Sequence, residues 1–452
     1  MPPPPSLASK LQDDHVSFLL AQFVDIHGTP KVKMAPLESL GALIEEGAGF
    51  AGGALWGMGQ GAHSHDMMGR IDPASYTPLP WLPGTARFAC DLYVDGEPHP
   101  FCPRVNLKRT LENARSLGFA LNVGIEPEHF LVVRKPDGSI APWDPAGVDT
   151  LSKPCYDYKA VSPAIGYLQD ITKYCNKLGW GVYQTDHEDA NGQFEVNFKF
   201  SDALTTADRY TFFKMMTSQV AQKYGAIATH MAKPFSNRTG NGAHIHYHLA
   251  DEATGRNLFT DEDDKRGLGL SELAYRFLGG ILHHAPALCA VTSPTVNCYK
   301  RLLVGAGLQS TRSGFTWTPA FISYGDNNRT QMLRVCGPGH VEDRSVSAGC
   351  NPYLAFSAYL AAGLDGMARR LDPGEPAIRN LYDMGPEQIA SLGLRTLPQT
   401  LRESLAALEA DPVVLGSLGA IGGEFLRLKR QEWNEYHMQV SGWEVDQYLT
   451  LF

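Results

Sequence analysis

The N-terminal part of the chain contains short β-rich segments that are separated by turns and loops. Two apolar runs within 16–34, on either side of a turn at Gly28–Pro30, predict a pair of strands. The pattern then predicts a short helix over 36–46 and further strands around 87–96. The intervening stretch 47–70 is rich in Gly, Met and His, and we predict a long loop there, where binding residues often lie.

After Pro103 the pattern changes to longer segments in which helices and strands follow one another irregularly. The predicted elements are helices over 163–179, 206–225 and after Asn351–Pro352, and strands over 119–134, 180–200 and 241–249. Because this order is not a regular strand–helix repeat, it favours an α+β fold over a doubly wound parallel sheet. We place a domain boundary at Pro103, which gives predicted domains over 1–103 and 104–452.

The composition is that of an ordinary globular protein, and it disfavours several classes of partner. Of the 452 residues, 43% are hydrophobic and 19% are charged. The formal net charge is −9 and no basic run is present, which argues against nucleic acid or an anionic membrane surface as a partner. No apolar run reaches the ~20 residues of a membrane span, and the N-terminal stretch lacks the apolar centre of a signal peptide. We therefore expect a cytoplasmic protein whose eight cysteines are reduced.

Familiar phosphate-binding and hydrolase motifs are absent or misplaced. Residues 47–52 match GxGxxG, but a predicted helix precedes them where a dinucleotide-binding loop would follow a strand. We interpret this match as a flexible loop. The chain contains neither GxxxxGK followed by Ser or Thr nor GxSxG, which excludes a P-loop and the usual nucleophile elbow of serine hydrolases.

Carboxylates and imidazoles recur on segments that are otherwise largely apolar. They are Glu126, Glu128, Glu188, Glu195, His244, His246, His248 and Glu342. On a strand, residues two apart share a face, as Glu126 and Glu128 would. Any single pair is best interpreted as the polar face of an amphipathic strand, but several buried carboxylates are expensive without cations. Oxygen ligands with one imidazole favour Mg²⁺ or Mn²⁺ over zinc, and two such ions could clamp a nucleotide's phosphates.

Four arginines extend this pattern of candidate chemistry. They are Arg301, Arg329, Arg334 and Arg344. Each one alone is best interpreted as a surface ion pair, but together they could hold phosphate and carboxylate groups bidentately. Metal-binding carboxylates and an arginine cluster, without a P-loop, indicate phosphoryl transfer onto a carboxylate substrate.

An ordered set of motifs resembles those of the glutamine synthetases over nearly the whole chain. The motifs are GIEPEHF, HEDANGQFE, KPFSNRTGNGAHIH, NCYKRL, NNRTQMLR and EDRSVSAGCNPYLAFSAYLAAGLDG. The resemblance implies an N-terminal β-grasp-like domain and a C-terminal catalytic domain with a curved antiparallel sheet. It also implies a homo-oligomer, a dodecamer of two hexameric rings, with active sites between neighbouring subunits.

The resemblance implies a role for each candidate residue. One metal would be held by Glu128, Glu188 and Glu195, and the other by Glu126, His244 and Glu342. Substrate glutamate would contact Gly240, Arg301 and Arg344, the transferring phosphate Arg329 and Arg334, and the nucleotide Phe200, His246 and His248. The implied ligands are ATP, Mg²⁺ or Mn²⁺, glutamate and an amine. The implied reaction phosphorylates the γ-carboxylate and then lets the amine attack the acyl phosphate.

Two positions depart from the ammonia-using members of the family. Ala51 stands where their neighbouring-subunit loop carries an aspartate, and Trp317 stands where their flap carries a glutamate. Both carboxylates that would bind and deprotonate ammonium are then replaced, and an apolar wall suits a nitrogen that carries carbon. The γ-glutamylmethylamide synthetase branch of the family shows the same pattern. Candidates for the proton acceptor are Asp66, His65 and Glu188.

Four functions follow from this resemblance. The first is an ATP-dependent ligase that joins glutamate to methylamine. The second keeps this chemistry with a bulkier alkylamine or an arylamine such as aniline, and the third is a true glutamine synthetase that uses ammonia. The fourth, a catalytically inactive nitrogen sensor, is disfavoured because an inactive copy has no reason to keep like charges buried together.

Overall fold

The computed structural model describes residues 5–304 and 318–452 of the chain. Within these ranges no helix is long and apolar enough to cross a membrane. The described elements form two main sheets, one from the N-terminal residues and one from the remainder of the chain, with helices packed around the second.

The N-terminal sheet has seven strands and is mixed. Its elements are α1 (Pro5–Asp13), β1 (Phe18–Val24), β2 (Pro30–Pro36), α2 (Leu40–Glu45), β3 (Ala48–Phe50), β4 (Met67–Ile71), β5 (Thr77–Pro78), β6 (Thr85–Val94) and β7 (Glu97–Pro98). The strand order is β2-β1-β6-β4-β3, with β5 and β7 also paired to β6. The central pair β1 and β6 is parallel, and its neighbours are antiparallel, as in the β-grasp-like arrangement that the sequence predicts.

The second sheet has ten strands and is almost entirely antiparallel. Its strands are β8 (Phe119–Arg134), β9 (Ile140–Pro142), β10 (Val182–His187), β11 (Gln193–Phe198), β12 (Ser201–Asp202), β13 (Ile227–Thr229), β14 (Ala243–Asp251), β16 (Tyr324–Gly325), β17 (Leu333–Gly337) and β18 (His340–Asp343). The order is β10-β11-β8-β14-β18-β17-β16. A separate two-stranded ribbon pairs β15 (Phe321–Ile322) with β19 (Arg395–Thr396).

Helices surround this second sheet and supply most of its core. They are α3 (Pro103–Ser116), α4 (Tyr158–Val161), α5 (Ile165–Lys177), α6 (Ala203–Lys223), α7 (Glu272–Thr292), α8 (Val296–Tyr299), α9 (Pro352–Arg369), α10 (Pro386–Ser391), α11 (Leu401–Ala410), α12 (Pro412–Ser417), α13 (Ile421–His437) and α14 (Gly442–Tyr448). Buried apolar side chains form one core under the N-terminal sheet and a much larger one in the rest of the chain. The boundary at 103/104 stays a prediction.

Several predicted elements agree closely with the structure. The strand predicted over 119–134 is β8, and β1 and β2 flank the turn at Gly28. Helix α9 begins after Asn351, whose side chain accepts a hydrogen bond from the Tyr353 amide as the predicted N-cap does. All eight cysteines are free thiols.

The prediction of a continuous loop over 47–70 is wrong at both ends. Strands β3 and β4 pair with each other there, with Ala48 opposite Gly69. Gly47, with φ +92°, brings the backbone so close to Gly69 that a Cβ would lie 2.8 Å from its carbonyl carbon. The sequence conceals this short pair because the strand pattern needs more alternation than three residues provide. The segment between β3 and β4 remains largely irregular.

Candidate active site

A cavity of about 600 Å³ opens on one face of the ten-stranded sheet. Most of the sequence-predicted residues line it: Glu126, Glu128, Glu188, Glu195, Gly240, His244, Arg301, Arg329, Arg334 and Arg344. Acidic groups and arginines from segments far apart in the chain therefore face a common space. The sequence supplied the residue types, and the strand register brings them together.

The long central strand β8 places the acidic side of this cavity. Glu126 and Glu128 share a face of β8, as the alternation predicts. Strand β14 pairs on one side and sets His244 opposite Glu126, while β11 pairs on the other and sets Glu195 opposite Glu128. One strand thus aligns ligand groups from both of its neighbours.

Glu128, Glu188 and Glu195 form a carboxylate trio. One oxygen from each lies within 4.8 Å of the others. The Gly242 amide donates to Glu128 Oε2 at 2.8 Å, and Gln193 Nε2 donates to the same oxygen at 3.0 Å. His244 Nε2 lies 3.4 Å from Glu128 Oε1, but Glu188 and Glu195 form no ion pair among the described residues. Three converging carboxylates, two of them without a cationic partner, are the donor set expected of a site for a hard divalent ion.

The raised pKa values of Glu188 and Glu195 reflect the cost of gathering these charges away from water. Removal from water raises the pKa of Glu188 well above its ordinary value, and the neighbouring charge of Glu128 raises it further. The pKa of Glu195 is raised for the same two reasons, with Glu188 as the nearest charge. A bound divalent cation relieves both effects, which is the fit that we require of the residues before assigning a metal to them.

A second group combines carboxylates with imidazoles. His244 Nδ1 lies 3.8 Å from Glu126 Oε2 and 3.5 Å from Glu342 Oε1. The assignment of these three residues to a second metal stays a prediction. His246, which is assigned to the nucleotide by resemblance, is also close, and Glu126, His246 and Glu342 have ligand atoms within 4.8 Å. Burial acts to raise the pKa of Glu126, but hydrogen bonds from His244 and His246 hold it far below its ordinary value.

Two of the arginines that line the cavity contact the buried Glu342. Arg344 Nη1 donates to Glu342 Oε1 at 2.7 Å, and Arg334 Nε contacts the other oxygen. Burial opposes ionisation of Glu342, yet Arg344 and the neighbouring histidines lower its pKa to about 2. Removal from water and the nearby Arg334 lower the pKa of Arg329. These guanidinium groups repel one another and so favour an anion between them.

Backbone contacts hold two further predicted residues at the cavity wall. Arg301 donates to the carbonyl oxygens of Arg344 at 2.9 Å and Ser345 at 3.2 Å, which orients its guanidinium. Gly240 is a glycine for lack of space, because a Cβ there would lie 2.4 Å from the Ala232 carbonyl oxygen.

A second cavity has a volume of about 440 Å³, and its lining residue His246 contacts Glu126 of the first cavity at 3.2 Å. All three residues predicted for the nucleotide line it: Phe200, His246 and His248. The Phe200 and His248 rings meet edge to face with centroids 5.3 Å apart, and 59% of the Phe200 side chain is exposed. Exposed aromatic surface beside a polar cleft is suited to stacking against a base.

Four predicted residues, Ala51, His65, Asp66 and Trp317, are not among the described residues that line these cavities. Ala51 and Asp66 lie between β3 and β4 or at their ends, are exposed, and are not among the residues that line either cavity. Their neighbour His65 binds Asp95 at 2.6 Å, and this hydrogen bond raises the pKa of His65. Trp317 lies outside the described residues.

The structure also adds one cavity residue, Asp186, and one residue beside the cavity, Asp149, that the sequence analysis missed. Asp186 lines the acidic side, and removal from water together with Glu128 raises its pKa. The alternation that paired Glu126 with Glu128 could have paired Asp186 with Glu188. Asp149 accepts hydrogen bonds from the Asn191 side chain at 2.8 Å and the Gly192 amide at 2.7 Å, which fixes the turn beside Glu188. Asp149 is about 40 residues from Asn191 and Gly192 in the sequence, so no local sequence pattern predicts these hydrogen bonds.

Comparisons with known proteins agree with this geometry. A family model described as "Glutamine synthetase, catalytic domain" matches residues 100–448. The glutamate–methylamine ligase of Methyloversatilis universalis is 49% identical, covering 98% of this chain and 98% of that protein. The glutamine synthetase of Rhizobium leguminosarum bv. phaseoli is 40% identical, covering 98% and 99%. A solved GmaS–ADP complex superimposes with a TM-score of 0.90 at 42% identity, covering 98% of this chain and 99% of that one, and ligand-free GmaS gives 0.88 with the same coverage.

Proposed function

The chain belongs to the glutamine synthetase family, and we propose that it is an ATP-dependent ligase that joins the γ-carboxylate of L-glutamate to methylamine. The observation that carries the ligase chemistry is the single cavity in which the carboxylate trio faces Arg329, Arg334 and Arg344. The 49% identity to a protein named glutamate–methylamine ligase supports methylamine as the amine. Members of this family use ATP and divalent metals.

We assign two Mg²⁺ or Mn²⁺ ions to the acidic side of the cavity. Glu128, Glu188 and Glu195 would hold one ion. Glu126, His244 and Glu342 would hold the other, beside the phosphates of ATP. When bound, such ions supply positive charge that neutralises the phosphate and carboxylate oxygens.

The arginines bind and orient the reacting anions. Arg301 and Arg344, with the backbone at Gly240, hold glutamate so that its γ-carboxylate faces the terminal phosphate. Arg329 and Arg334 lie across the cavity and stabilise negative charge on the phosphoryl group as it transfers. A γ-carboxylate oxygen displaces ADP to give γ-glutamyl phosphate. The amine nitrogen then attacks the acyl carbon, phosphate leaves, and the nitrogen gives a proton to an acceptor.

The nature of the amine depends on residues that surround the attacking nitrogen. Ala51 lacks the carboxylate that ammonia-using relatives place there, so ammonium would lose a charge-assisted hydrogen bond worth roughly 1.5–3 kcal/mol. A methyl group on nitrogen regains part of this by burial, at about 0.8 kcal/mol per CH₂-sized unit. We propose Asp66, His65 or Glu188 as the proton acceptor and Trp317 as part of the amine-binding wall.

The proposed substrate is tested by comparing kcat/KM for methylamine and ammonia, measured as ADP release at one pH. The wild type should prefer methylamine, and Ala51→Asp should shift the ratio towards ammonia by about tenfold or more, which corresponds to about 1.4 kcal/mol. Ala54→Asp is the matched control, because it places the same charge three residues along the same exposed segment. A wild-type preference for ammonia would identify a glutamine synthetase, and a preference for isopropylamine or aniline would identify a bulkier amine as the substrate.

We also propose that the active unit is a ring oligomer, a dodecamer of two hexameric rings. Ala51 and Asp66 lie away from the cavity of their own chain, which supports an active site completed by a neighbour. The C-terminal residues Trp443, Leu449 and Phe452 are 63%, 76% and 101% exposed, and a cluster of large apolar side chains at one terminus favours burial against another chain.

Subunit mixing tests this assembly. Arg344→Ala and Ala51→Arg subunits should both be inactive alone and should regain activity when reassembled together, because some mixed sites carry neither change. A mixture of Arg344→Ala with Arg301→Ala is the control, since both changes lie in one cavity and every site stays defective. A fully active monomer in light scattering would contradict the proposal.

A further inference from the structure

A cluster of one cysteine and two histidines lies beside the second cavity, which His246 and His340 line. His246, Cys336 and His340 each offer a ligand atom, and these atoms lie within 4.8 Å of one another. His246 Nδ1 and His340 Nε2 are 2.7 Å apart. The assignments made above use only His246, so Cys336 and His340 have no role in the proposed reaction.

The local backbone explains why these three side chains converge. On β14 and β18, His246 is directly opposite Glu342, and His340 lies two residues before Glu342 on the same face. Strands β17 and β18 form a tight hairpin in which Val335 pairs with Val341 and Gly337 with His340. Cys336 is the extra residue between these pairs. Such a bulge re-aims its side chain, here towards the two imidazoles.

We propose that His246, Cys336 and His340 form a binding site for a soft divalent cation of the zinc type, separate from the carboxylate sites. Two imidazole nitrogens and a thiolate are the ligands that zinc prefers, whereas the carboxylate trio offers only oxygen. Zinc–nitrogen bonds of about 2.0–2.1 Å and a zinc–sulfur bond of about 2.3 Å span this triangle after small side-chain rotations. A water molecule would supply the fourth ligand.

The surroundings favour a cation at this position. Cys336 Sγ lies 3.7 Å from Glu342 Oε2, and His246 Nε2 lies 3.2 Å from Glu126 Oε1. Arg334 contacts Glu342, and its positive charge partly offsets the attraction of these carboxylates for a cation. Two imidazole nitrogens at hydrogen-bond distance share one proton, and the bound ion replaces that proton and the thiol proton. His340 is exposed, so an ion reaches the site directly from solvent.

Cobalt substitution tests the site by a readout that only a thiolate ligand gives. Enzyme freed of metals with a chelator is saturated with Mg²⁺ to fill the oxygen sites and is then titrated with Co²⁺. We expect a thiolate-to-cobalt charge-transfer absorption band that saturates at one ion per chain. Added Zn²⁺ should abolish the band, because zinc binds such sites more tightly than cobalt does.

Variants assign the band to its ligands. Cys336→Ser should remove the band, and His340→Asn should weaken Co²⁺ binding at least about tenfold while both variants keep the wild-type unfolding temperature in the absence of added metal. Cys155→Ser is the matched control, because Cys155 and Cys336 are the two cysteines that are not buried, and it should keep the band. No saturable band in the wild type, a band that survives Cys336→Ser, or its loss in Cys155→Ser would overturn the proposal. None of these outcomes depends on the identity of the amine substrate.

Discussion

Two clusters of acidic side chains in this molecule differ in how far cationic side chains compensate their charge. At the junction of the two sheets, Asp72, Asp91 and Asp208 surround Arg104; we refer to these residues with Lys108 as the junction cluster. Arg104 binds Asp208 through two nitrogens at 3.0 Å each and Asp91 at 2.7 Å. Burial opposes ionisation of Asp72, but Arg104 and Lys108 hold its pKa below the ordinary value.

In the carboxylate trio, His244 lies beside Glu128, but Glu188 and Glu195 have no cationic partner among the described residues. Glu188 and Glu195 have raised pKa values, because the chain withdraws them from water and places like charges beside them. The junction cluster is complete within the chain and serves stability, whereas the trio is complete only when a cation arrives from outside. The difference teaches that uncompensated acidic charge, rather than acidic charge itself, marks the functional region here.

The largest effect should follow from removing the cation of the junction cluster. Arg104→Met leaves three aspartates close together without their main partner and should lower the free energy of unfolding by about 3–5 kcal/mol. Urea unfolding at fixed protein concentration measures this. Arg104→Lys keeps the charge but loses the two-nitrogen contact, and it should fall between Met and wild type. A loss below about 1 kcal/mol for Met would show that the cluster does not stabilise the junction.

Removing a charge from the carboxylate trio should lower activity strongly without lowering the free energy of unfolding, the opposite of what we expect for the junction cluster. Glu195→Gln should lower kcat/KM for the ligase reaction by about 10²–10³-fold, or about 2.7–4 kcal/mol, because one oxygen ligand is replaced by an amide. In chelator, the same change should leave the free energy of unfolding unchanged or raise it. Asp72→Asn removes one charge from the junction cluster as a control and should reduce stability while sparing the activity of folded enzyme. Wild-type activity of Glu195→Gln would contradict the metal assignment.

An effect of intermediate size is expected in the pH dependence of stability, which should distinguish the carboxylate trio from the junction cluster. A carboxyl whose pKa is raised on folding binds more protons in the folded state, so the free energy of unfolding falls as pH rises above the ordinary carboxyl value of 4.5. Each unit of raised pKa corresponds to about 1.4 kcal/mol. In chelator, thermal unfolding should therefore occur at lower temperature as pH rises from about 5 to 8.

Saturating Mg²⁺ should reduce this decrease in unfolding temperature with rising pH, because the ion replaces the protons that Glu188 and Glu195 hold in the folded state. Glu195→Gln should also reduce it in chelator, since one of the two titrating carboxyls is gone. A dependence of stability on pH that is the same in both conditions as in chelator alone would show that Glu188 and Glu195 do not titrate as inferred.

The smallest effect is expected at the rim of the junction cluster. The Lys108 side chain is 36% exposed and pairs with Asp72 at 3.2 Å, so Lys108→Met should lower the free energy of unfolding by no more than about 1 kcal/mol. The same urea measurement detects it. A decrease in the free energy of unfolding as large as that of Arg104→Met would mean that Lys108 and Arg104 stabilise the cluster equally.

Much of the fold follows from patterns within single segments. The residues predicted as a strand over 119–134 form β8, and Glu126 and Glu128 point into the cavity because neighbours two apart on a strand share a face. The start of α9 at Asn351–Pro352 follows from capping chemistry. The short pairing of β3 with β4 was missed, because its stability comes from contact with the next strand rather than from its own three residues.

The candidate site likewise contains residues that sequence motifs predicted and residues that only the structure revealed. Family motifs named the trio and the arginines, and the cavity brings them together as expected. Asp149 and the junction cluster escaped notice, because their partners lie in distant segments and no local pattern signals a hydrogen bond across such separations. His340 was missed for the same reason.

By itself, the sequence determined most of the longer helices and strands, the polar face of strands such as β8, and most of the side chains with ligand chemistry. These properties depend on backbone geometry that repeats every two or 3.6 residues. Only the tertiary structure decided that acids near Arg104 are neutralised, that those of the trio are not, and that Cys336 meets two histidines. Charge compensation depends on distances between strands and helices that are set when the core packs, and no local pattern contains those distances.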